Sequence, residues 1–176
     1  EGKLYIGLAF NKTTPQESNN PADYTWSLMP QNIEIGGRNL ITGTSADWKT
    51  VTHSQWYARI SDTLYISELG LEVGDTVTYR VYVKTGSTAG ARARLRWHTS
   101  DGTNHANTYG TSIGKNTEGW IEATGKVPED TDYVWVVINA QDNGTDTGTF
   151  DYKYLKLEKG NKATDWTPAP EDVQEQ

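Results

Sequence analysis

The sequence predicts an all-β chain, a jelly-roll β-sandwich of two antiparallel sheets with a short N-terminal β extension. Three observations carry this. About eight segments alternate apolar and polar residues with the two-residue period of a half-buried strand. They recur at spacings of about 8–15 residues, punctuated by turn signals such as Gly74-Asp75, Asp101-Gly102 and Asn143-Gly144. No stretch of ten or more residues combines helical spacing with caps. Regularly spaced short strands without helices argue for a sandwich or a barrel.

Residues 1–33 stand apart. Residues 4–10 (LYIGLAF) suit a strand, whereas residues 11–21 are too polar and too broken by proline for either regular element. Residues 23–28 suit a second strand, with Tyr24, Trp26 and Leu28 on one face. Two short strands are marginal alone, so this extension is expected to pack on the main domain or on a neighbour. From Gly36-Gly37 onward the punctuation is regular. Residues 38–41 (RNLI), 48–52, 55–60 (QWYARI), 63–66 and 76–84 (TVTYRVYVK) are the first strand candidates. Residues 92–98 (RARLRWH), a weak 104–108, 120–127, 133–140 (YVWVVINA) and 149–157 complete them. The main module spans 34–166, and 167–176 reads as a connector whose acidic end runs on into a following segment. The start at Glu1, without Met, is read as a cut from a longer chain.

A jelly roll sends successive strands to alternate sheets. That rule places residues 55–60, 92–98, 104–108 and 133–140 in one sheet, and 48–52, 76–84, 120–127 and 149–157 in the other. Residues 92–98 set the character of the first sheet. Ala91, Ala93, Leu95 and Trp97 fall on one side; Arg92, Arg94, Arg96 and His98 fall on the other. Like charges two residues apart repel mildly, so this ladder does not serve stability alone. The same period turns Trp56, Ala58, Ile60, Val134, Val136 and Ile138 inward. It leaves Gln55, Tyr57, Arg59, Tyr133, Trp135, Val137 and Asn139 outward, joined by His105, Asn107 and Tyr109.

That outward face suits a saccharide. A pyranose stacks its C–H face on Trp or Tyr, and its hydroxyls take planar donors and acceptors at the edges. Arginines also match phosphate or carboxylate groups on an anionic glycan. The candidate binding residues are Tyr57, Arg59, Arg94, Arg96, His98, Tyr109, Trp135 and Asn139. The competing view makes Trp135 a core residue and the arginines a solvated face paired with Asp and Glu.

Composition bounds the alternatives. At 176 residues the chain can form one domain with a core and an extra piece, and seven Trp with ten Tyr supply much of its buriable area. A net charge of −7 argues against a general nucleic-acid role. There are no cysteines, so stability rests on packing, and no apolar run is long enough to span a membrane. His53, His98 and His105 lack metal-ligand spacing. A glycosidase needs two carboxyl groups across a cleft, and the nearest candidate, Glu122, belongs to the other sheet. No enzyme is read here.

Several segments resemble a known family. Residues 76–84, 119–128 (GWIEATGKVP), 133–140 and 149–160 (TFDYKYLKLEKG) are similar to the strand series of the family 4 and 9 carbohydrate-binding modules. That series ends in an Asp-containing strand followed by Leu-Glu-x-Gly, and residues 38–41 resemble its opening Asn-Leu strand. Residues 157–172 (LEKGNKATDWTPAPED), and Tyr5-Ile6-Gly7 through the stretch ending at Leu28, resemble phrases common in tail and baseplate proteins of phages infecting Gram-positive bacteria. The resemblance implies a module at the host-facing end of a virion tail that holds cell-wall polysaccharide or teichoic acid on the concave face of one sheet. Its implied partners are a bacterial surface saccharide and other tail subunits, with neither nucleic acid nor membrane. Many relatives carry a structural calcium near the first and last strands. Here Asp151 is the only obvious carboxylate of the last strand and the opening strand offers no partner, so no cofactor or metal is expected. Two other readings compete: a structural or interaction domain of the tail, and a fragment of a depolymerase whose catalytic part lies elsewhere.

Overall fold

In the computed structural model of the chain, the alternating segments become antiparallel strands. The structure describes residues 5–8, 20, 22, 24–28, 36–142 and 146–174. Most of the loop expected over 11–21, the Asn143-Gly144 turn and the last two residues lie outside the described residues. The chain forms two units, Glu1–Ile33 and Glu34–Gln176. In the first, β1 (Tyr5–Leu8) pairs antiparallel with β2 (Thr25–Leu28), Tyr5 opposite Leu28 and Leu8 opposite Thr25.

The second unit carries β3 (Lys49–His53), β4 (Tyr57–Arg59), β5 (Leu64–Tyr65), β6 (Thr76–Thr85) and β7 (Gly90–His98). It continues with β8 (Asn104–Ile113), β9 (Glu118–Lys126), β10 (Tyr133–Gln141) and β11 (Gly148–Lys159). One antiparallel sheet has the order β4-β10-β7-β8, with β5 also pairing to β10; the other has the order β3-β11-β6-β9. Each main strand belongs to the sheet expected for it from the sequence, and β7 and β8, consecutive in the chain, share one sheet as a hairpin pair.

The core lies between the sheets because each strand turns its apolar set inward. Val77, Tyr79, Val81 and Val83 of β6 and Ile121 of β9 are fully buried, as are Phe150 and Leu157 of β11. Ala91, Ala93, Leu95 and Trp97 of β7 and Val136 and Ile138 of β10 meet them. Trp97 keeps its polar handle satisfied, donating from Nε1 to Thr108 Oγ1 at 3.0 Å. At one end the edge strands β8 and β9 bring the sheets together, and Glu122 N donates to Thr111 Oγ1 at 2.9 Å. The approach is so close that a Cβ on Gly110 would lie 1.8 Å from the Glu122 carbonyl oxygen. Glycine is required there by space.

Three stretches differ from their sequence reading. Residues 104–108 were expected as a weak strand, yet β8 runs ten residues to Ile113. Its polar sequence pairs with β7 over most of that length, so the ladder supplies what composition lacks. Residues 38–41 form no regular strand, although Leu40 N donates to Leu157 O at 2.7 Å. The fully buried Asn39 side chain does the pairing instead. Its Oδ1 accepts from Ile41 N and Leu157 N, and its Nδ2 donates to Thr44 Oγ1, Leu155 O and Thr167 O. Residues from Thr167 on, read as a connector, lie against the module. Ala169 is buried, the short helix α1 (Pro170–Gln174) follows, Asp172 accepts from Gly43 N, and Arg38 pairs with Glu171.

The Leu-Glu-x-Gly stretch has a packing reason. Lys156 and Glu158 are both buried, with Nζ 3.7 Å from Oε2. Lys156 also donates to Thr164 Oγ1 and Asp165 O, while Glu158 accepts from Thr164 N and Oγ1. A buried pair of charges is tolerated when its remaining hydrogen bonds are made. Here they clamp the segment that follows β11.

Candidate functional site

The outer face of the β4-β10-β7-β8 sheet is built in rows set by strand register. Tyr57, Asn139, Arg92 and Ser112 form one row, and Arg59, Val137, Arg94 and Tyr109 form the next. Trp135, Arg96 and Asn107 follow, and then Tyr133, His98 and Asn104. All eight sequence-derived candidates belong to this sheet, and side chains that are 37 to 82 residues apart in the chain become neighbours.

The guanidiniums alternate with aromatic rings. Arg59 Cζ lies 4.6 Å from the Trp135 ring centroid, and Arg96 Cζ lies 4.5 Å from Tyr57 and 5.5 Å from Trp135. Arg92 and Arg94 stand over Tyr109 at 4.9 and 5.0 Å. Amides and hydroxyls hold them further. Arg94 donates from Nε and Nη2 to Asn107 Oδ1 at 3.0 and 2.7 Å, and from Nη1 to Asn139 Oδ1 at 3.0 Å. Arg59 donates to Ser61 O and Thr63 Oγ1, and Thr63 also accepts from Trp135 Nε1. Stacking on a ring fixes the plane of a guanidinium and leaves its edge for a ligand.

None of these four arginines forms an ion pair among the described residues. The ladder is therefore not the salt-bridged face of the competing view. Arg96 is the extreme case. Its Nη2 makes a long 3.4 Å contact to Asn104 Oδ1, and its Nε is buried without a hydrogen-bond partner. Burial lowers the Arg94 pKa from its usual value, with Arg96 adding repulsion, but a guanidinium stays charged at neutral pH. The face thus holds positive charge in place without neutralising it, and His105, exposed on β8 as its alternation predicts, bonds Thr131 Oγ1 through Nε2 at 3.1 Å.

Four sequence expectations on this sheet need correction. Trp56 was expected inward and is 65% exposed, because β4 begins only at Tyr57 and Trp56 belongs to the turn before it. Val137 was expected in solvent and is fully buried, since its register neighbours are the long side chains Arg59 and Arg94. His98 has its predicted register but is 1% exposed: Tyr133 stacks on its ring at 4.7 Å and Trp135 tilts against it at 4.4 Å. Burial pushes its pKa below the ordinary 6.5, and Nδ1 bonds Arg96 O at 3.0 Å. His98 supports the floor under Trp135 and Arg96 and offers no surface to a ligand. Trp135 is half-buried, with Arg59 over its ring, so it is neither an open platform nor a core residue.

Sequence reasoning undervalued Asn107 and missed Thr63, which anchor Arg94, Arg59 and Trp135. Asn107 alternates outward like Tyr109, but residues 63–66 carry too little pattern to be placed. The ring cluster on the opposite sheet was missed as well, although Tyr82 and Trp120 both alternate outward on their strands.

No cluster of three or more metal-ligating side chains occurs among the described residues. Asp151 accepts from Thr50 Oγ1 at 2.6 Å. No helix among the described residues is long and apolar enough to cross a membrane.

No protein-family model and no curated protein matches the sequence. Solved structures share its fold at low identity. The chain is similar to the tripod (BppUct-A-L) from the baseplate of bacteriophage Tuc2009, with a TM-score of 0.46 and 17% identity over 80% of this chain and 61% of that one. It is similar to the CBM22-1 xylan-binding domain of Paenibacillus barcinonensis Xyn10C, with a TM-score of 0.43 and 9% identity over 75% and 97%. It is similar also to a CBM4 domain, with a TM-score of 0.40 and 14% identity over 67% and 92%. These are likenesses of the β-sandwich.

Proposed function

We propose that this chain is a non-catalytic module that binds an anionic polysaccharide of a Gram-positive cell wall, carried by a phage tail or baseplate protein. One observation carries the binding reading. In a chain of net charge −7, four arginines of one sheet face are fixed by aromatic rings and amides, and none has a carboxylate partner among the described residues. With 23 Asp and Glu available, an unpaired guanidinium array is not what folding alone favours. Phosphate or carboxylate groups on a glycan would take the free guanidinium edges in paired hydrogen bonds. Hydroxyls would use Asn107, Asn139 and Tyr57. The tail assignment rests on the resemblance of residues 157–172 and of the N-terminal stretch to phage tail phrases.

The test uses the labelled chain on intact Gram-positive cells from strains with different wall polysaccharides. Strain-selective binding that purified teichoic acid competes away, and that weakens as salt is raised, supports the proposal. Binding to no strain, even with many copies displayed on one particle, overturns it in favour of a structural spacer.

A further inference from the structure

The outer face of the β3-β11-β6-β9 sheet carries a second built recess. Trp48, Tyr82, Trp120 and Tyr154 follow one another with ring centroids 5.9, 5.2 and 5.9 Å apart. With Lys84, Glu118 and Lys153 they line a space of about 500 Å3. Trp48 and Trp120 are 44% and 39% exposed, although each could bury large apolar area elsewhere. Tyr154 adds an independent sign that the recess is built. Its φ is +58°, a conformation that costs an aromatic residue energy, and it sits in the irregularity where β11 shifts register against β6 between Lys153 and Lys156. That irregularity stands Tyr154 beside Trp120 and Trp166.

The lining selects the occupant. Lys153 Nζ already lies 4.5 Å from the Trp48 ring, 4.9 Å from Tyr154 and 5.7 Å from Tyr82. Two lysines face a single carboxylate, Glu118, so an external ammonium is repelled and finds its place taken. A neutral ring with an apolar face and hydroxyl edges fits better. The indoles supply stacking surface, the lysines supply donors, and Glu118, which accepts from Tyr82 OH at 3.3 Å, supplies an acceptor. Arg80 backs Trp120 at 4.1 Å and pairs with Glu122, which holds the indole in position.

We infer that this recess is a second glycan site, taking a neutral pyranose between Trp48 and Trp120 over Tyr82. It stands independently of the arginine face, with different chemistry on the opposite side of the sandwich. Both sites on one module would engage separate glycan segments and raise avidity without new contacts.

The test follows indole N–H resonances of the full chain in 1H–15N spectra, with Trp48 and Trp120 assigned by single Trp→Phe variants. The probes are xylohexaose, cellohexaose and chitohexaose. Saturable shifts at Trp48 and Trp120 with at least one probe, and none at the buried Trp97, are expected. Trp120→Ala should weaken that binding about tenfold or more, while Arg96→Met leaves it unchanged. Should Trp120→Ala unfold, as read from the Trp97 resonance, Trp48→Ala carries the same comparison. No shift at either indole with all three probes overturns the inference. So does a shift that survives the Ala variant, or one that follows protein concentration without sugar, which marks the recess as a self-association surface. Loss of teichoic acid binding in Arg96→Met bears on the arginine face alone.

Discussion

Replacing Arg96 by methionine separates ligand binding from folding. Methionine keeps the unbranched stem and removes the guanidinium. The variant loses stacking on Tyr57 at 4.5 Å and Trp135 at 5.5 Å, each about 0.5–1 kcal/mol at such partly exposed sites. It also sheds a buried Nε with no partner, a group whose burial costs about 1–3 kcal/mol. The two offset, and the 3.4 Å contact to Asn104 is too long to tip the balance. Stability should change by no more than about 1 kcal/mol, which is a Tm shift of about 4 °C or less in a domain of this size. Binding should change much more. A charge-assisted hydrogen bond to a phosphate or carboxylate contributes about 1.5–3 kcal/mol, which is about 10–150-fold in Kd at ~1.4 kcal/mol per tenfold. Titration calorimetry with purified teichoic acid, paired with thermal unfolding of the same samples, measures both. Arg96→Lys keeps the charge but not the planar fork, so its affinity should fall between the other two. Unchanged affinity in Arg96→Met, or a Tm drop well beyond about 4 °C, would refute the reasoning, because the side chain would then be serving the fold.

Three further outcomes follow from packing and burial. Asn39→Ala leaves Ile41 N and Leu157 N without their acceptor; at about 1–3 kcal/mol for each orphaned group, it should destabilise by about 2–6 kcal/mol in urea unfolding. Gly110→Ala would place a Cβ 1.8 Å from the Glu122 carbonyl oxygen and 2.6 Å from Ala123 Cα, both backbone, and should lower the melting temperature by forcing β8 and β9 apart. Because burial depresses the His98 pKa below 6.5, the unfolded chain takes up that proton more readily than the folded one. The contribution of His98 to stability is therefore full above about pH 6.5 and declines as pH falls toward the lower, folded-state pKa. The loss of Tm between pH 7.5 and 5.5 should be smaller in His98→Asn than in the parent chain; an equal loss in both would exclude this residue as the source.

The arginine face was legible because alternation is a local rule. Ala91 to His98 can occupy a half-buried strand in only one register, so the side of Arg92, Arg94 and Arg96 follows from their neighbours in the chain. The same rule placed Tyr57, Trp135 and Asn139 on that side. Where it failed, a local rule met a non-local cause. Trp56 is exposed because the chain turns before β4, and Val137 and His98 are covered by side chains from other strands or other rows. The Tyr154 conformation arises from a shift in pairing between β11 and β6, which no pattern in residues 149–157 announces.

The sequence by itself determined the β class, the sheet to which each main strand belongs, and the direction of the arginine side chains. The class and the arginine direction follow from a two-residue period and from turn residues within about ten residues of chain, whereas sheet membership follows from the order of strands along the module. Tertiary structure decided what those arginines meet. That Arg96 lies against Tyr57 and Trp135, that Thr63 anchors both Arg59 and Trp135, and that no described carboxylate neutralises the face all depend on pairs separated by up to 72 residues. Such pairs are set by strand order and register, which arise from the competition of every strand for a place in the sheets. An aromatic or charged residue acquires its chemistry from those neighbours.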